Sequence, residues 1–208
     1  MVSRRVLPAL FCSVLVLSAG CASLPWGSIG VRMQLESMMN DSVSAQQRAE
    51  AAETSKGRDS PEANALRQEL RAIDQRNVQR LDQIIAAHGW PKLREVGVYA
   101  SVSAYLIVHS ASLPDQKRYL PLIRQAVAEH QLPADNIAML EDKILRNEGK
   151  KQLYGTQLKK GKSDCLEPYP VSDEKHLDQR RKALGLTPVA EYVQFLGTPC
   201  AKSPRRSP

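Results

Sequence analysis

A long apolar stripe with well-marked ends runs through the middle of the sequence and favours a helical fold. Ser60 is a favoured helix N-cap, and Pro61 is a favoured first helical residue. Beyond them, apolar side chains recur at the spacing of one helix face, with an asparagine among them: Leu66, Leu70, Ile73, Asn77, Leu81 and Ile84. Gly89 and Pro91 then end the segment. His88 is one more step along the stripe, so we predict that it lies on the buried face of this helix.

Similar stripes predict further helices on both sides of this segment. The stretch from Val96 to Ala111 also fits strand alternation, but its length favours a helix. Further along, Gln152 to Leu158 alternates, which indicates a short strand or an extended loop. Leu166 to Val171 contains two prolines and is either irregular or a second edge strand. We therefore predict a mainly α fold: a single helical domain with a small two-stranded β element near residues 152–171. The other predicted helices are Val31 to Thr54, Leu113 to His130, Pro133 to Asn147, Ser172 to Leu184, and Thr187 to Phe195.

The N-terminus has the features of a secretion signal. Arg4 and Arg5 precede an apolar run from Val6 to Leu17, which is too short to span a bilayer. The segment that follows, Leu-Ser-Ala-Gly-Cys, resembles the lipobox of bacterial lipoproteins, in which the cysteine is acylated after cleavage. We therefore expect a signal peptide over residues 1–20 and lipidation of Cys21. Ordinary secretion with cleavage at another position is the alternative.

Lipidation would place the protein in the bacterial cell envelope. Ala22 is not the aspartate that retains lipoproteins at the inner membrane, so the resemblance implies the outer membrane, facing the periplasm. The expected organisation is then a tether over residues 21–30, a mostly helical domain over residues 31–198 and a basic tail over residues 199–208. The expected partners are the membrane, through the lipid anchor, and a periplasmic protein or a cell-wall component.

Cysteine usage and charge narrow the options further. With Cys12 removed in the signal and Cys21 acylated, Cys165 and Cys200 remain, and an oxidising compartment favours a disulfide between them. Two free thiols are the alternative, whereas a zinc site lacks a Cys-x-x-Cys pair or a nearby histidine set. The formal net charge of +7 is concentrated partly in the tail. Nucleic acid is not expected as a partner in this compartment.

Several polar motifs follow one another in a recognisable order along the chain. They are His88-Gly89-Trp90-Pro91, Gly97, His109, Leu140 to Ile144, Gln152 to Gln157, Asp178 to Arg181, and Leu184-Gly185-Leu186. In this order they resemble the bacterial domain of unknown function 6624 family, over residues 31–196. Two positions depart from the family pattern: Lys143 replaces an arginine, and Val108 replaces a glutamine. The resemblance implies a shared fold and a shared polar site, but no established activity.

The two histidines offer the sharpest candidate chemistry. His88 and His109 each lie at the end of an apolar stripe, so both could face one pocket. With Asp142 and Gln152 they could form a metal site or a general acid–base cluster. The alternative is that each histidine is buried and hydrogen-bonded, joining helix ends. Since no close histidine spacing places two ligands on one helix, we expect neither a metal nor another cofactor.

The remaining candidates are two arginines and a tyrosine. Arg180 and Arg181 could clamp an anion or form an ion pair, with Asp142 among the partners. Tyr154 precedes a glycine at which a ligand could approach the backbone, although a turn glycine is the simpler interpretation. The candidate catalytic residues are therefore His88, His109, Asp142 and Arg180. The candidate ligand-binding residues are His88, His109, Gln152, Tyr154 and Arg181.

Three functions remain open from the sequence. The first is an envelope-anchored, non-catalytic lipoprotein that binds a periplasmic partner, for example as an inhibitor or immunity protein. The second is a periplasmic hydrolase, which requires that the four candidate catalytic residues converge in one solvent-reachable pocket. The third is a structural envelope spacer without a pocket.

Overall fold

The computed structural model describes residues 26–161 and 164–200, and the fold is mainly α. The helices are α1 Trp26–Lys56, α2 Pro61–His88, α3 Leu93–Ser110, α4 Leu113–Ala128, α5 Ala134–Asn147, α6 Leu177–Ala183 and α7 Val189–Leu196. Two short strands, β1 Leu158–Lys160 and β2 Leu166–Pro168, form an antiparallel pair. The predicted fold class is confirmed. The expected signal peptide, Cys21 and the tail beyond Cys200 lie outside the described residues.

The first two helices form a long antiparallel hairpin that α3 packs against. The predicted N-cap forms, because Ser60 Oγ accepts a hydrogen bond from the Ala63 amide at 3.2 Å. The side-chain amide of the buried Asn77 donates to the Met38 carbonyl at 2.9 Å, and this contact fixes how α1 and α2 align. Leu35 and Leu81 have no exposed surface in the core between these helices.

The first helix begins earlier than the sequence predicts. It starts at Trp26, so the tether expected to extend to Gly30 ends before the helix. Gly27 and Gly30 lower helix propensity, but burial of Val31 and the side chains that follow it favours the helix and overrides that preference.

The third helix is kinked where the sequence places a glycine. Gly97 has φ 83° and ψ 168°, a conformation that side chains other than glycine rarely adopt. After a short turn, Ser112 caps α4 by accepting from the Asp115 amide at 3.4 Å. In the part of the chain that the structure describes, no helix is long and apolar enough to cross a membrane.

The C-terminal part folds back over the end of α5. A parallel bridge between Gln152 and Val171 precedes a short 3-10 helix, Glu174–His176, and then α6 and α7. The chain after α7 returns to β2, where Cys165 and Cys200 form a disulfide with a Cα–Cα distance of 4.8 Å.

Candidate functional site

A buried carboxylate organises the loop that follows α5. Asp142 lies on α5 and has no exposed surface. Its Oδ1 accepts from the amides of Leu153 at 2.7 Å and Tyr154 at 3.0 Å. Its Oδ2 accepts from the amide of Thr156 at 2.9 Å and from the hydroxyl of the same residue at 2.9 Å. Residues 153–156 therefore wrap around this carboxylate, and we call them the Asp142 loop. Both oxygens of Asp142 are occupied by hydrogen bonds from the protein itself.

Both arginines bind the carbonyl groups of the same loop. Arg180 Nε donates to the Leu153 carbonyl at 3.0 Å, and Arg181 Nη1 donates to the Tyr154 carbonyl at 2.7 Å. The loop is thus held through its amides by α5 and through its carbonyls by α6. Further partners of the two arginines are the Ser172, Asp173 and Thr187 carbonyls and the ring of Tyr192. These contacts make both arginines part of the scaffold.

The glutamine of the predicted site joins the loop to the β element. Gln152 is fully buried, and its side chain accepts from the Gln157 amide at 2.9 Å and donates to the Tyr169 carbonyl at 2.8 Å. Gly155 has φ 70°, and a Cβ there would lie 3.1 Å from Val189 Cγ2. It is a turn glycine that also permits close packing of α7 on the loop.

A pocket of about 360 Å³ lies where this network reaches the surface. Thr156 and Arg181, which both belong to the network, line it together with Asp135 and Tyr192. Tyr192 Oη donates to the Thr156 carbonyl at 3.1 Å, which ties α7 to the pocket wall. Apolar side chains supply much of the remaining lining: Pro133, Ala134, Met139, Leu184 and Leu186. Apolar walls with a few fixed polar groups are typical of ligand pockets.

Tyr154 faces a different depression from Arg181. It lines a pocket of about 270 Å³ together with Arg124 and Glu141, on the other side of Leu184. Burial, followed by the charge of Glu141, raises the pKa of Tyr154. Tyr154 and Arg181, which are both candidate ligand-binding residues, therefore line two separate pockets.

His109 contacts α5 from α3 and lies beside a lysine. Lys143 Nζ is 3.3 Å from His109 Nδ1 and donates to the His109 carbonyl at 2.7 Å. An ammonium has only donors, so Nδ1 acts as the acceptor and the ring proton lies on Nε2. Burial, and then the positive charge of Lys143, lowers the pKa of His109 to about 4. The imidazole is therefore neutral at neutral pH.

The prediction that His88 lies on a buried face is wrong, because the residue is exposed at the end of α2. The contact between Asn77 and Met38 aligns the two antiparallel helices, so His88 lies roughly level with residue 27. The helix that covers this face of α2 is α1, and only its first residues reach the level of His88. His109 lies near the far end of α3, so the two histidines do not share a pocket.

The structure thus divides the predicted site residues into three groups. The Asp142 loop brings together five of them: Asp142, Gln152, Tyr154, Arg180 and Arg181. His109 contacts Lys143 instead, one residue along α5 from Asp142. His88 is remote from both groups. Thr156 lies in the Gln152 to Gln157 motif, but no sequence pattern identified it as a partner of Asp142. The pocket residues Asp135 and Tyr192 lie outside every motif.

The described residues include no group of three or more histidine, cysteine, aspartate or glutamate side chains that could hold a metal ion. The fold and the site together define a mainly helical domain in which a buried carboxylate network lies beneath a surface pocket. The family model described as a family of unknown function, DUF6624, matches residues 32–201, and the chain belongs to that family. Comparisons with curated proteins and with solved structures gave no match.

The lowered pKa of His109 predicts an acid-dependent loss of stability. The unfolded chain protonates this histidine near pH 6.5, whereas the folded protein does so only near pH 4. As the pH falls from 6.5 to 4, the unfolded state binds the proton first, and folding loses stability. Between pH 7 and pH 5, the wild type should lose on the order of 1–2 kcal/mol more than His109→Gln in urea unfolding.

His88→Gln is the matched control for this experiment. Its exposed ring should leave both the stability and its pH dependence within about 0.5 kcal/mol of the wild type. If His109→Gln had the same pH profile of stability as the wild type, the assignment of a neutral, half-buried imidazole would be contradicted.

Proposed function

We propose that this protein is an envelope-anchored lipoprotein, acylated at Cys21, whose helical domain binds a periplasmic protein or a cell-wall component. The binding site is the pocket beside Thr156 and Arg181. The proposed location is the outer membrane, facing the periplasm, on the strength of the lipobox-like sequence around Cys21 and of Ala22 after it. An inhibitor or immunity protein acting on a cell-wall hydrolase is one form of this function.

The observation that carries the proposal is the position of the pocket on the Asp142 network. Thr156 is fixed by the carboxylate, and Arg181 is fixed by loop carbonyls and by Tyr192. A pocket wall held this rigidly loses little conformational entropy when a ligand binds, and preorganisation of this kind raises affinity. The lining of apolar side chains with a few polar groups suits a ligand that has both types of surface.

The hydrolase alternative has less support. It requires His88, His109, Asp142 and Arg180 to converge on a pocket open to solvent. His88 lies at the end of α2, and the oxygens of Asp142 are occupied by amides and a hydroxyl of the protein. A general acid or base needs hydrogen-bonding reach to a substrate, which the fully buried Asp142 lacks.

The proposal predicts two results for protein purified from bacterial membranes. Intact mass should give a chain that begins at Cys21 and carries a diacylglyceryl group. A photo-crosslinking amino acid at Leu186, in the pocket lining, should form a discrete adduct in living cells. The same amino acid at the exposed Lys182 on α6, which is outside the lining, is the control.

An adduct at position 186 that is absent at position 182, and whose mass identifies a periplasmic protein or a peptidoglycan fragment, is the expected result. Equal labelling at both positions, or no adduct at either, would contradict binding at the pocket. An unmodified Cys21 would contradict the anchor. The two parts of the proposal therefore fail separately.

A further inference from the structure

Exposed apolar side chains gather at the end of the helical hairpin where α1 begins. Five of the seven large apolar residues that are exposed among those described lie on α1 and the start of α3, and four of these five lie nearest to the beginnings of the two helices. Met33 is 65% exposed and Val98 is 69% exposed, and Ile29 and Tyr99 are also about half exposed or more. Ile29 and Met33 are four residues apart, so they share one face of α1. The cluster is defined here as the α1–α3 apolar patch.

The alignment of the helices places these residues at one end of the molecule. The antiparallel pairing of α1 with α2 puts the end of α2 beside the beginning of α1. Since α3 starts at Leu93, shortly after α2 ends, its first turns lie at the same end. Tyr99 Oη donates to Asn40 Oδ1 at 3.2 Å, which joins the α3 part of the patch to α1.

The proposed acylation site lies close to this end. Cys21 precedes Trp26, the first residue of α1, by five positions, and a chain of that length spans at most about 18 Å. Met33 follows Trp26 by seven residues, roughly 10 Å along the helix. A lipid at Cys21 therefore keeps the patch within a short distance of the bilayer surface.

We propose that the α1–α3 apolar patch docks on the surface of the membrane that holds the lipid anchor. This inference rests on the proposed anchoring at Cys21. Apolar side chains at the end of a tethered domain insert between lipid headgroups, and the short tether raises their effective concentration there. The domain then stands with the tip of the α1–α2 hairpin, near Lys56 and Pro61, directed away from the membrane.

Charge at the same end adds a smaller contribution. Lys92 and Arg94 are exposed at the start of α3, and Arg32 is exposed on α1. Two acids offset part of this charge, because Glu36 pairs with Arg32 at 2.8 Å and Glu95 lies 4.0 Å from Lys92. The excess is one positive charge, so apolar contact carries the docking and anionic lipid assists it.

The test measures the depth of a fluorophore in tethered protein. The chain from residue 21 carries Cys21→Ser and a hexahistidine tag in front, which tethers it to vesicles through a nickel-chelating lipid. The vesicles contain phosphatidylcholine, a minority of phosphatidylglycerol and a nitroxide-labelled lipid as quencher. Since Cys165 and Cys200 are paired, a cysteine introduced by Met33→Cys is the free thiol that takes the environment-sensitive dye.

Gln47→Cys is the matched control position. Gln47 is exposed on the same face of α1, roughly 21 Å further along the helix. The dye at position 33 should be quenched severalfold more strongly than the dye at position 47, and its emission should shift to the blue. Equal quenching at the two positions would overturn the proposal.

A second pair of variants tests the other half of the patch. Val98→Glu should reduce the quenching of the dye at position 33, whereas Gln47→Glu, which adds the same charge roughly 21 Å further along α1 than Met33, should leave it unchanged. Identical effects of the two variants would overturn the assignment of Val98 to the docking surface. Because the tag replaces the natural anchor, this result does not depend on acylation of Cys21. The intact-mass measurement described above tests that acylation separately.

Discussion

Asp142→Asn is expected to lower the free energy of unfolding by about 2–4 kcal/mol, one of the two largest effects we predict. The asparagine side chain keeps the shape of the aspartate but replaces one accepting oxygen with an NH₂ group. That group cannot accept from Thr156, so the amide and the hydroxyl that share Oδ2 lose their partner in a fully buried position. Urea unfolding followed by circular dichroism measures the loss.

Asp135→Asn provides the control on the same helix. Asp135 is exposed in the first turn of α5, so the same chemical change there should alter stability by less than about 1 kcal/mol. Similar losses in the two variants would mean that the effect comes from helix charge. The hydrogen bonds to the Asp142 loop would then not account for it.

Removal of the disulfide should produce the second large effect. The bond joins Cys165 to Cys200, 35 positions apart, and encloses α6 and α7 with both arginines that hold the Asp142 loop. Cross-linking a loop of this length stabilises the folded state by about 4 kcal/mol in the chain-entropy treatment. The double variant Cys165→Ser/Cys200→Ser should lose about that much in urea unfolding under non-reducing conditions.

Two comparisons make the disulfide result specific. Cys21→Ser removes a cysteine that does not take part in the bond, and it should leave the unfolding curve unchanged. Treating the wild type with dithiothreitol should reproduce the loss measured for the double variant. A reduced wild type as stable as the oxidised protein would contradict a stabilising role for this bond.

The helical part of the fold could be predicted because its signals are local. Ser60 and Ser112 accept the amide hydrogen bonds expected of N-caps, Pro61 is the first residue of α2, and Pro114 is the second residue of α4. The stripe along α2 likewise predicted the burial of Ile73 and its neighbours. Each of these signals depends on residues within one or two helical turns, so the sequence contains all the information they require.

Predictions that depended on how helices align were less successful. The stripe placed His88 on a buried face, but burial there requires a neighbouring helix that extends to that level, and α1 begins at Trp26. The same limit applies to the tether, because helix propensity at Gly27 and Gly30 does not include the packing of α1 on α2. Periodicity identifies the apolar face of a helix, whereas only tertiary structure determines how much of that face is covered.

The role of Asp142 could not be predicted for a different reason. Its partners are mostly main-chain amides, which every residue except proline carries, so no residue type marks them in the sequence. The arginines likewise bind carbonyls of the loop rather than the aspartate itself. Family resemblance listed these residues among its motifs together with His88 and His109, and it did not indicate that the side chains of Asp142 and the arginines hold the backbone.

The central claim is that the Asp142 loop is a rigid part of the fold beneath the pocket. Native-state hydrogen exchange at the amides of Leu153, Tyr154 and Thr156 tests it most directly, in the wild type and in Asp142→Asn. In the wild type these amides should exchange only through large openings, with protection close to that of the helical core. In Asp142→Asn their protection should fall far more than that of α2. Rapid exchange of the three amides in the wild type would contradict the claim.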